Sequence, residues 1–548
     1  MPEFVFRKHD NVGTAAAEDD GEFLDECFVD RGEIQLLLDC RNAKRIIVGR
    51  TGTGKSALIQ RLSGLDINTV KLSPHSLALN FIATNKVFAF FEAAGVNLSP
   101  FYILLWKHLL VVELLKRRFN ITNEISHKSF MTHVRTFYQK KDRYKEQAID
   151  YLENWGAKFW LTTEERVHEL TNRVESSLTA AAKGNFGGID LSINGARKLS
   201  KEQRQEIVEH GLDAVSKIQI RELDNILAVL DENIFADSKN PYYVTIDMLD
   251  EDWADDRIKF KLIRSLIDAV RQFKAICNVK IIVALRQDLL DRVIRSEVTP
   301  GFQEEKHKAL YLTLQWNKND LIKIVENRLN KLIRHRYTKE TVSFPDIFPD
   351  SINGKTALDY LLDRTFLRPR DMIIFLNECL ELCEGRPNIS AAIIKIAEER
   401  YSAERLQSLA HEWITIYPNL YQNSRIFYGF SDRFDVSDIT EDVLLEHINE
   451  IASEIKDPHL DPITRSLDSL YATDGNFGSV RSFILREFYV TGLIGIKTGP
   501  TDSISWSLNS GSQAKLNPGA VRPSSTICIH PMFHRALGIK YKQTQYKR

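Results

Sequence analysis

The 548-residue chain predicts an α/β core with a doubly wound, mostly parallel sheet, followed by all-helical segments and a mixed C-terminal segment. Three observations predict it. Short apolar runs of strand type alternate with longer stretches of helical period. A glycine-rich loop lies between the first such run and a helix. A later apolar run ends on an acid, Asp247, far along the chain from that loop, which splits the core around an insertion.

Residues 1–25 are polar after the first few positions and read as a mobile tail. The first part of the core covers 26–118, with strands expected at Ile46–Val48 and Ile67–Leu72 and a helix opening at Ala57–Leu62. Residues 119–238 read as a helical insertion, broken by a turn-rich stretch, KGNFGGIDLSINGARKLS, expected as a loop or small hairpin. The core resumes over 239–320, with strands at Pro241–Asp247, Lys280–Leu285 and Ala309–Gln315. An all-α lid is expected over 321–435. In the last segment, 436–548, a helix runs into a strand, a long polar loop follows, and a second strand closes the unit, the pattern of a winged-helix-like domain.

The chemistry concentrates in Gly49-Arg50-Thr51-Gly52-Thr53-Gly54-Lys55-Ser56, which satisfies G-x-x-x-x-G-K-[ST] with a strand before it and a helix after. Glycines let the backbone wrap with its N–H groups inward around phosphate oxygens. Lys55 reaches the β- and γ-phosphates, Ser56 places a hydroxyl on Mg²⁺, and Ala57 continues the helix whose positive end faces the anion. These residues make the core an α/β P-loop NTPase core. The second element is Tyr243–Glu251, YVTIDMLDE. An acid at the end of a buried strand needs a cation, so Asp247 suits the Mg²⁺ side of the site. Asp250 and Glu251 stand where a carboxylate could orient the attacking water, and the same letters also fit a solvated acidic turn. The third element is the apolar run ending in Arg286, which fits a γ-phosphate sensor or a surface arginine at a strand end.

D-x-L-D-E after an apolar strand, followed by an apolar strand ending in Arg, resembles the STAND branch of the AAA+-related ATPases. The chain is also similar to poorly characterised bacterial P-loop ATPases with an IDxLD–W element, here ending at Trp253. The resemblance covers roughly 26–118 and 239–548. It implies ATP and Mg²⁺ as cofactors, with Ser56 and Asp247 on the metal, Asp250 and Glu251 as hydrolytic acids and Arg286 as first sensor. It implies that Pro369 lies near the adenine and that Arg368 or Arg370 is a second sensor. It also places a finger arginine for a neighbouring subunit at Arg292 or Arg295, where a solvated helix face is the other reading. Met248 and Leu367 depart from the pattern, standing where the family has a small residue and a glycine.

Net charge is −1, so the whole molecule is not a polycation that coats nucleic acid. From Gly475 to the end, however, ten Lys or Arg face only Glu487 and Asp502, leaving −9 on the rest. That basic domain suits either DNA phosphates or the acidic stretch just before it. No apolar run is long enough to span a bilayer and no signal core opens the chain, so a cytoplasmic location and no membrane partner are expected. Cys379 and Cys383, four apart, read as buried thiols, and His530 and His534 as structural. Asn317-Lys318-Asn319-Asp320 matches a guanine-reading motif by letters but follows the wrong strand. The expected function is an ATP-hydrolysing switch that works as a homo-oligomer or with an effector protein, with defence against phage or mobile DNA implied by the family. The competing readings are a DNA-associated loader or motor and an ADP-latched scaffold.

Overall fold

The computed structural model describes residues 5–65, 67–75, 79, 85–121, 128, 132, 171–172, 175–180, 191–216, 227, 230–254, 256–295, 307–337, 341–471, 476–499, 501–507 and 521–541. The chain folds as two compact units. The sheet unit is Asp30–Arg50 with Lys55–Leu314, and the lid unit is Met1–Val29 with Thr51–Gly54 and Gln315–Arg548.

In the sheet unit the described strands pair in the order β2-β3-β4-β1-β5, all parallel. They are β1 (Ile46–Gly49), β2 (Asn68–Leu72), β3 (Tyr242–Ile246), β4 (Val279–Arg286) and β5 (Tyr311–Thr313). The β1, β3 and β4 runs are rich in Ile, Val and Leu and are buried along almost their whole length, as expected of parallel strands covered on both faces. This is the doubly wound core of an α/β P-loop NTPase-like fold. Its helices include α1 (Lys55–Ser63), α2 (Ser99–Phe119), α3 (Asp256–Gln272) and α4 (Gln287–Arg295). Helix α2 is apolar on nearly every face and correspondingly buried, and its Trp106 Nε1 donates to Leu262 O of α3 at 2.8 Å. Asn120, in the left-handed region at φ 50°, ends α2.

The register places the chemistry. Gly49 of β1 lies opposite Arg286 of β4, and Ile246 of β3 lies opposite Val283. Because β4 sits between β1 and β3, the loop after β1, the acid after β3 and the arginine ending β4 emerge on one edge of the sheet. At the opposite end, Lys280 is fully buried in β4, and its Nζ donates to Leu36 O and Asp39 O, each at 2.7 Å. It thereby satisfies carbonyls at the end of helix Glu33–Leu38, while burial pushes its ammonium down to about 8.

Most of the insertion expected over 119–238 lies outside the described residues. Within it, the turn-rich stretch expected as a loop or hairpin contains a short helix, Ile193–Arg197, because Ser192 caps it by accepting from Gly195 N at 3.1 Å. A second helix follows over Lys201–Ser216.

The lid unit carries helices α5 (Lys318–Arg336), α6 (Pro369–Glu381), α7 (Ala391–Glu412), α8 (Glu441–Ile451), α9 (Pro462–Asp468) and α10 (Phe477–Thr491). A two-residue hairpin, β6 (Ser351–Ile352) with β7 (Lys355–Thr356), interrupts the helices. A small antiparallel sheet closes the unit in the order β8-β10-β9, from β8 (Arg433–Asp435), β9 (Ile494–Lys497) and β10 (Thr526–Ile529). Between β9 and β10, residues 508–520 lie outside the described residues.

Residues 5–25 do not form the mobile tail expected of them. Phe6 and Val12 are buried in the lid core, and Phe6 exchanges backbone hydrogen bonds with Arg386 and Gly385, each 2.9 Å. Asp20 pairs with buried Arg328, and Asn377 brackets Val12 N and Gly13 O at 2.9 and 2.8 Å. The segment is polar overall, but Phe6, Val12, Asp10 and Asp20 find their partners in the distant lid unit, which a local reading does not see. Among the described residues no helix is long and apolar enough to cross a membrane.

Candidate phosphate-binding site

The glycine-rich loop turns between β1 and α1 with Gly52 and Gly54 at φ +79° and +90°, a region open to glycine at little cost. Gly52 is constrained twice over, because a Cβ there would stand 2.9 Å from Arg370 Cβ. In the sheet unit, Lys55 Nζ donates to Gly49 O at 3.1 Å and Arg50 O at 3.2 Å. Burial pushes its ammonium down, opposed by the nearby carboxylates of Asp250 and Asp247. The Ser56 hydroxyl lies close enough to the Asp247 carboxylate to favour its ionised form.

Asp247 itself is raised by burial, an effect that the Met248 N–H, the Ser56 hydroxyl and Lys55 partly oppose. Met248 N donates to Asp247 Oδ1 at 2.9 Å, and Met248 sits at φ 64°. The departure at Met248 is therefore conformational, since the turn asks for a left-handed residue and only glycine adopts that freely. Trp253 is buried and its Nε1 donates to Leu249 O at 3.0 Å, so it buttresses the acidic turn.

The two candidate hydrolytic acids go different ways. Asp250 lies 3.4 Å from Arg286 Nη1, whereas Glu251 lies 2.9 Å from His75 Nε2. Arg286 is gripped on its other edge by Asp288, through Nε at 2.9 Å and Nη2 at 2.8 Å. Arg292 is half-buried on α4. The side chain of Arg295, at the end of the same helix, lies outside the described residues.

In the lid unit the loop tip, Thr51–Gly54, meets the start of α6. Pro369 opens that helix at N1, where its missing N–H costs nothing. Leu367, where the resemblance expects glycine, stands at φ 50°. Arg368 is buried and bound by Asp371, through Nε at 3.0 Å, and by Glu412 at 3.4 Å. Burial alone would lower its pKa, but the two carboxylates outweigh it and the guanidinium is held charged. Arg370 differs. Its Nε donates to Ala15 O at 3.3 Å, and among the described residues no carboxylate forms an ion pair with it. Burial and the neighbouring Arg368 push it down. The buried Thr51 hydroxyl has no hydrogen-bond partner among the described residues.

Sequence reasoning missed Trp316, which follows β5. Its Nε1 donates to Thr53 O at 2.8 Å, and its ring lies 3.9 Å from the Cβ position of Gly54. The four letters after it have a structural explanation. Asn317 is the N-cap of α5, accepting from Asp320 N at 2.9 Å and donating to Asp320 Oδ2 at 2.7 Å. Elsewhere, Cys379 and Cys383 are buried thiols. His530 Nδ1 accepts from Met532 N at 3.2 Å, and His534 Nε2 lies 2.9 Å from Ile529 O.

A loop that cradles anions, a lysine at its end and a hydroxyl–carboxylate pair beside it can hold a polyphosphate and its cation. Residues 319–410 match the FunZ-associated C-terminal helical domain. Over 556 residues the chain is 22% identical to the putative transposon gamma-delta 80.3 kDa protein of Escherichia coli (strain K12), covering 98% of this chain and 68% of that protein. The structure of the ORC2 protein of Aeropyrum pernix, in ADPNP–ADP complexes, matches with a TM-score of 0.35 and 12% identity over 97% of this chain and 96% of that one, a level at which backbone similarity alone assigns nothing.

Proposed function

We propose that this chain is a Mg²⁺-dependent P-loop ATPase that works as a nucleotide-controlled switch. The observation that carries the reading is the convergence of Lys55, Ser56 and Asp247 at the end of the glycine-rich loop, where Lys55 and the Ser56 hydroxyl both favour the ionised Asp247 carboxylate. A buried carboxylate held above its ordinary range is a group that a Mg–nucleotide would satisfy. Ser56 and Asp247 would hold Mg²⁺, which keeps several waters of its own and supplies charge neutralisation at the β- and γ-phosphates. Lys55 exchanges two backbone carbonyls for phosphate oxygens. Asp250 is the acid that bears most strongly on Lys55, which supports it over Glu251 as the group that orients water. Arg286, held between Asp250 and Asp288, is the candidate first sensor, and Arg370, in the same unit as the loop tip, the candidate second. Arg368 is committed to Asp371 and Glu412, which supports Arg370 as the second sensor. Pro369 would lie near the adenine, and Arg292 or Arg295 would serve a neighbouring subunit. The engagement of Asn317 as a helix cap supports ATP over GTP.

A second reading is a DNA-associated ATPase. We read α8, α9 and α10 with β8, β10 and β9 as a winged helix, and the net charge of +8 on the stretch from Gly475 onward, which includes α10, β9 and β10, favours it. The acids Glu441, Asp442, Glu446 and Glu450 are exposed on α8, so DNA would meet the α10 side, where Arg486 is exposed. The relative named for a transposon agrees with a role on mobile DNA, as does the defence role that the family resemblance implies.

The test is Mg²⁺-dependent hydrolysis of ATP against GTP by the wild type and Lys55→Ala, across protein concentration, with and without DNA. Turnover lost in the variant and rising faster than linearly with concentration supports the oligomeric switch. Stimulation by DNA, weakened by salt, favours the second reading. Tight ADP without turnover marks a latched scaffold, and no nucleotide binding by the wild type overturns the proposal.

A further inference from the structure

Three consecutive carbonyls at the loop tip each accept a hydrogen bond from elsewhere in the lid unit. Arg368 Nη1 donates to Thr51 O at 2.8 Å, Arg370 N to Gly52 O at 3.5 Å and Trp316 Nε1 to Thr53 O at 2.8 Å. A trans peptide unit is planar, so its C=O and the next residue's N–H point in opposite directions. Holding these three carbonyls outward therefore turns the amides of Gly52, Thr53 and Gly54 the other way, towards an anion. Of the three contacts, the one to Gly52 is the longest, and Arg368 is already bound to Asp371 and Glu412. Trp316 brings a donor-only N–H on a rigid ring packed against the lid core. Its peptide is the last one before Lys55, the one presenting Gly54 N–H.

We infer that Trp316 is a positioning residue for phosphate binding. It does not touch the ligand, and it acts through the Thr53 carbonyl on the Gly54 amide. The inference rests on the phosphate-binding reading of the loop. It also fixes what the residue must be, since a phenylalanine could fill the space but could not orient the peptide. An imidazole places Nε2 at the same ring position as the indole Nε1, so Trp316→His keeps the donor while losing the larger ring.

The experiment compares the wild type, Trp316→Phe, Trp316→His and Lys55→Ala by calorimetric titration with Mg–ADP, thermal unfolding without nucleotide, and steady-state ATP hydrolysis. Loss of one net hydrogen bond predicts about five- to tenfold weaker Mg–ADP binding by Trp316→Phe. KM should rise by a similar factor, and kcat should change less than about twofold, because the phosphates are held alike in substrate and transition state. Trp316→His should bind Mg–ADP more tightly than Trp316→Phe and yet melt lower, because it retains the donor and buries less ring. That crossing of affinity and stability is what a packing role cannot produce. If Trp316→Phe binds as the wild type does, or if both variants lose affinity in step with their melting temperatures, the inference is overturned. Should Trp316→Phe fail to fold, the histidine variant decides alone, since near-wild-type affinity at a lowered melting temperature supports the inference and lost affinity overturns it. If the wild type binds and Lys55→Ala does not, an unaffected Trp316→Phe sinks only the role of Trp316. If the wild type does not bind Mg–ADP, the phosphate-binding reading falls with it.

Discussion

Two turns, one in each unit, place an L-residue where the backbone wants glycine, and they are held by opposite means. Met248 in the sheet unit, at φ 64°, follows a carboxylate that burial makes costly, and its N–H is bound by that same carboxylate. Leu367 in the lid unit, at φ 50°, precedes a fully buried carboxylate, Asp371. That carboxylate accepts from Phe366 N at 3.0 Å and Arg368 Nε at 3.0 Å, with Arg405 Nη1 at 3.8 Å. The lid turn is over-determined by paired charges, whereas the sheet turn keeps an acid that its own surroundings disfavour. Strain that packing does not require belongs with function. Of the two, the lid turn is satisfied by charges of its own unit, whereas the sheet turn carries the acid on which the proposed function rests.

Neutralising each acid in turn tests this contrast most severely. Asp371→Asn leaves Arg368 and Arg405 without their shared carboxylate, and removal of one partner of a buried pair costs about 3–5 kcal/mol. Loss of hydrogen-exchange protection in α6 and α7 reads it. Asp247→Asn should do the reverse. The Asp247 carboxyl is raised in the folded state, so the unfolded chain ionises first, and stability falls as pH rises from the ordinary carboxylate range through the raised value, the loss being complete above it. The asparagine variant is therefore more stable than wild type at neutral pH, with the gain vanishing at acidic pH, while Mg²⁺-dependent turnover is lost. Equal stability losses in the two variants would erase the distinction.

A pH series isolates the lid scaffold from the site. His447 on α8 is 4% exposed, and burial together with Arg425 pushes its imidazole down to about 4. The unfolded chain then takes up a proton first. The stability that neutral His447 contributes is complete above pH ~6.5, falls as pH drops towards 4 and levels off below, a loss on the order of 3 kcal/mol. His447→Gln should flatten that limb, measured by hydrogen exchange in α8 between pH 7 and 4. A slope that persists in the variant would assign it to other groups.

The smallest effects come from giving each turn its glycine. Relief of left-handed strain is worth ~1 kcal/mol and the added chain freedom costs nearly as much. Met248→Gly should therefore lie within about 0.5 kcal/mol of wild type. Leu367 also packs on the lid core, so Leu367→Gly should lose roughly 1–2 kcal/mol of burial. Chemical denaturation of both variants checks the order.

Local spacing alone was enough for the α/β core, the loop at 49–56 and the strand types of β1, β3 and β4. Glycines where the phi angle is positive, an apolar run of strand length and a lysine–serine pair opening a helix are all legible over a few residues. Met248 and Leu367 also stood out as departures, although the backbone angle that explains both was not visible. Other features emerged only from the folded chain. Asn317 caps a helix, Asp250 and Glu251 pair with different bases, and Arg368 is spent on Asp371 and Glu412 while Arg370 is not. Folding also brings residues 5–25 into the lid core and sets Trp316 on the Thr53 carbonyl. Each of these is a contact between groups far apart in the chain or a choice among nearby side chains, and neither distance nor direction is encoded in a local pattern.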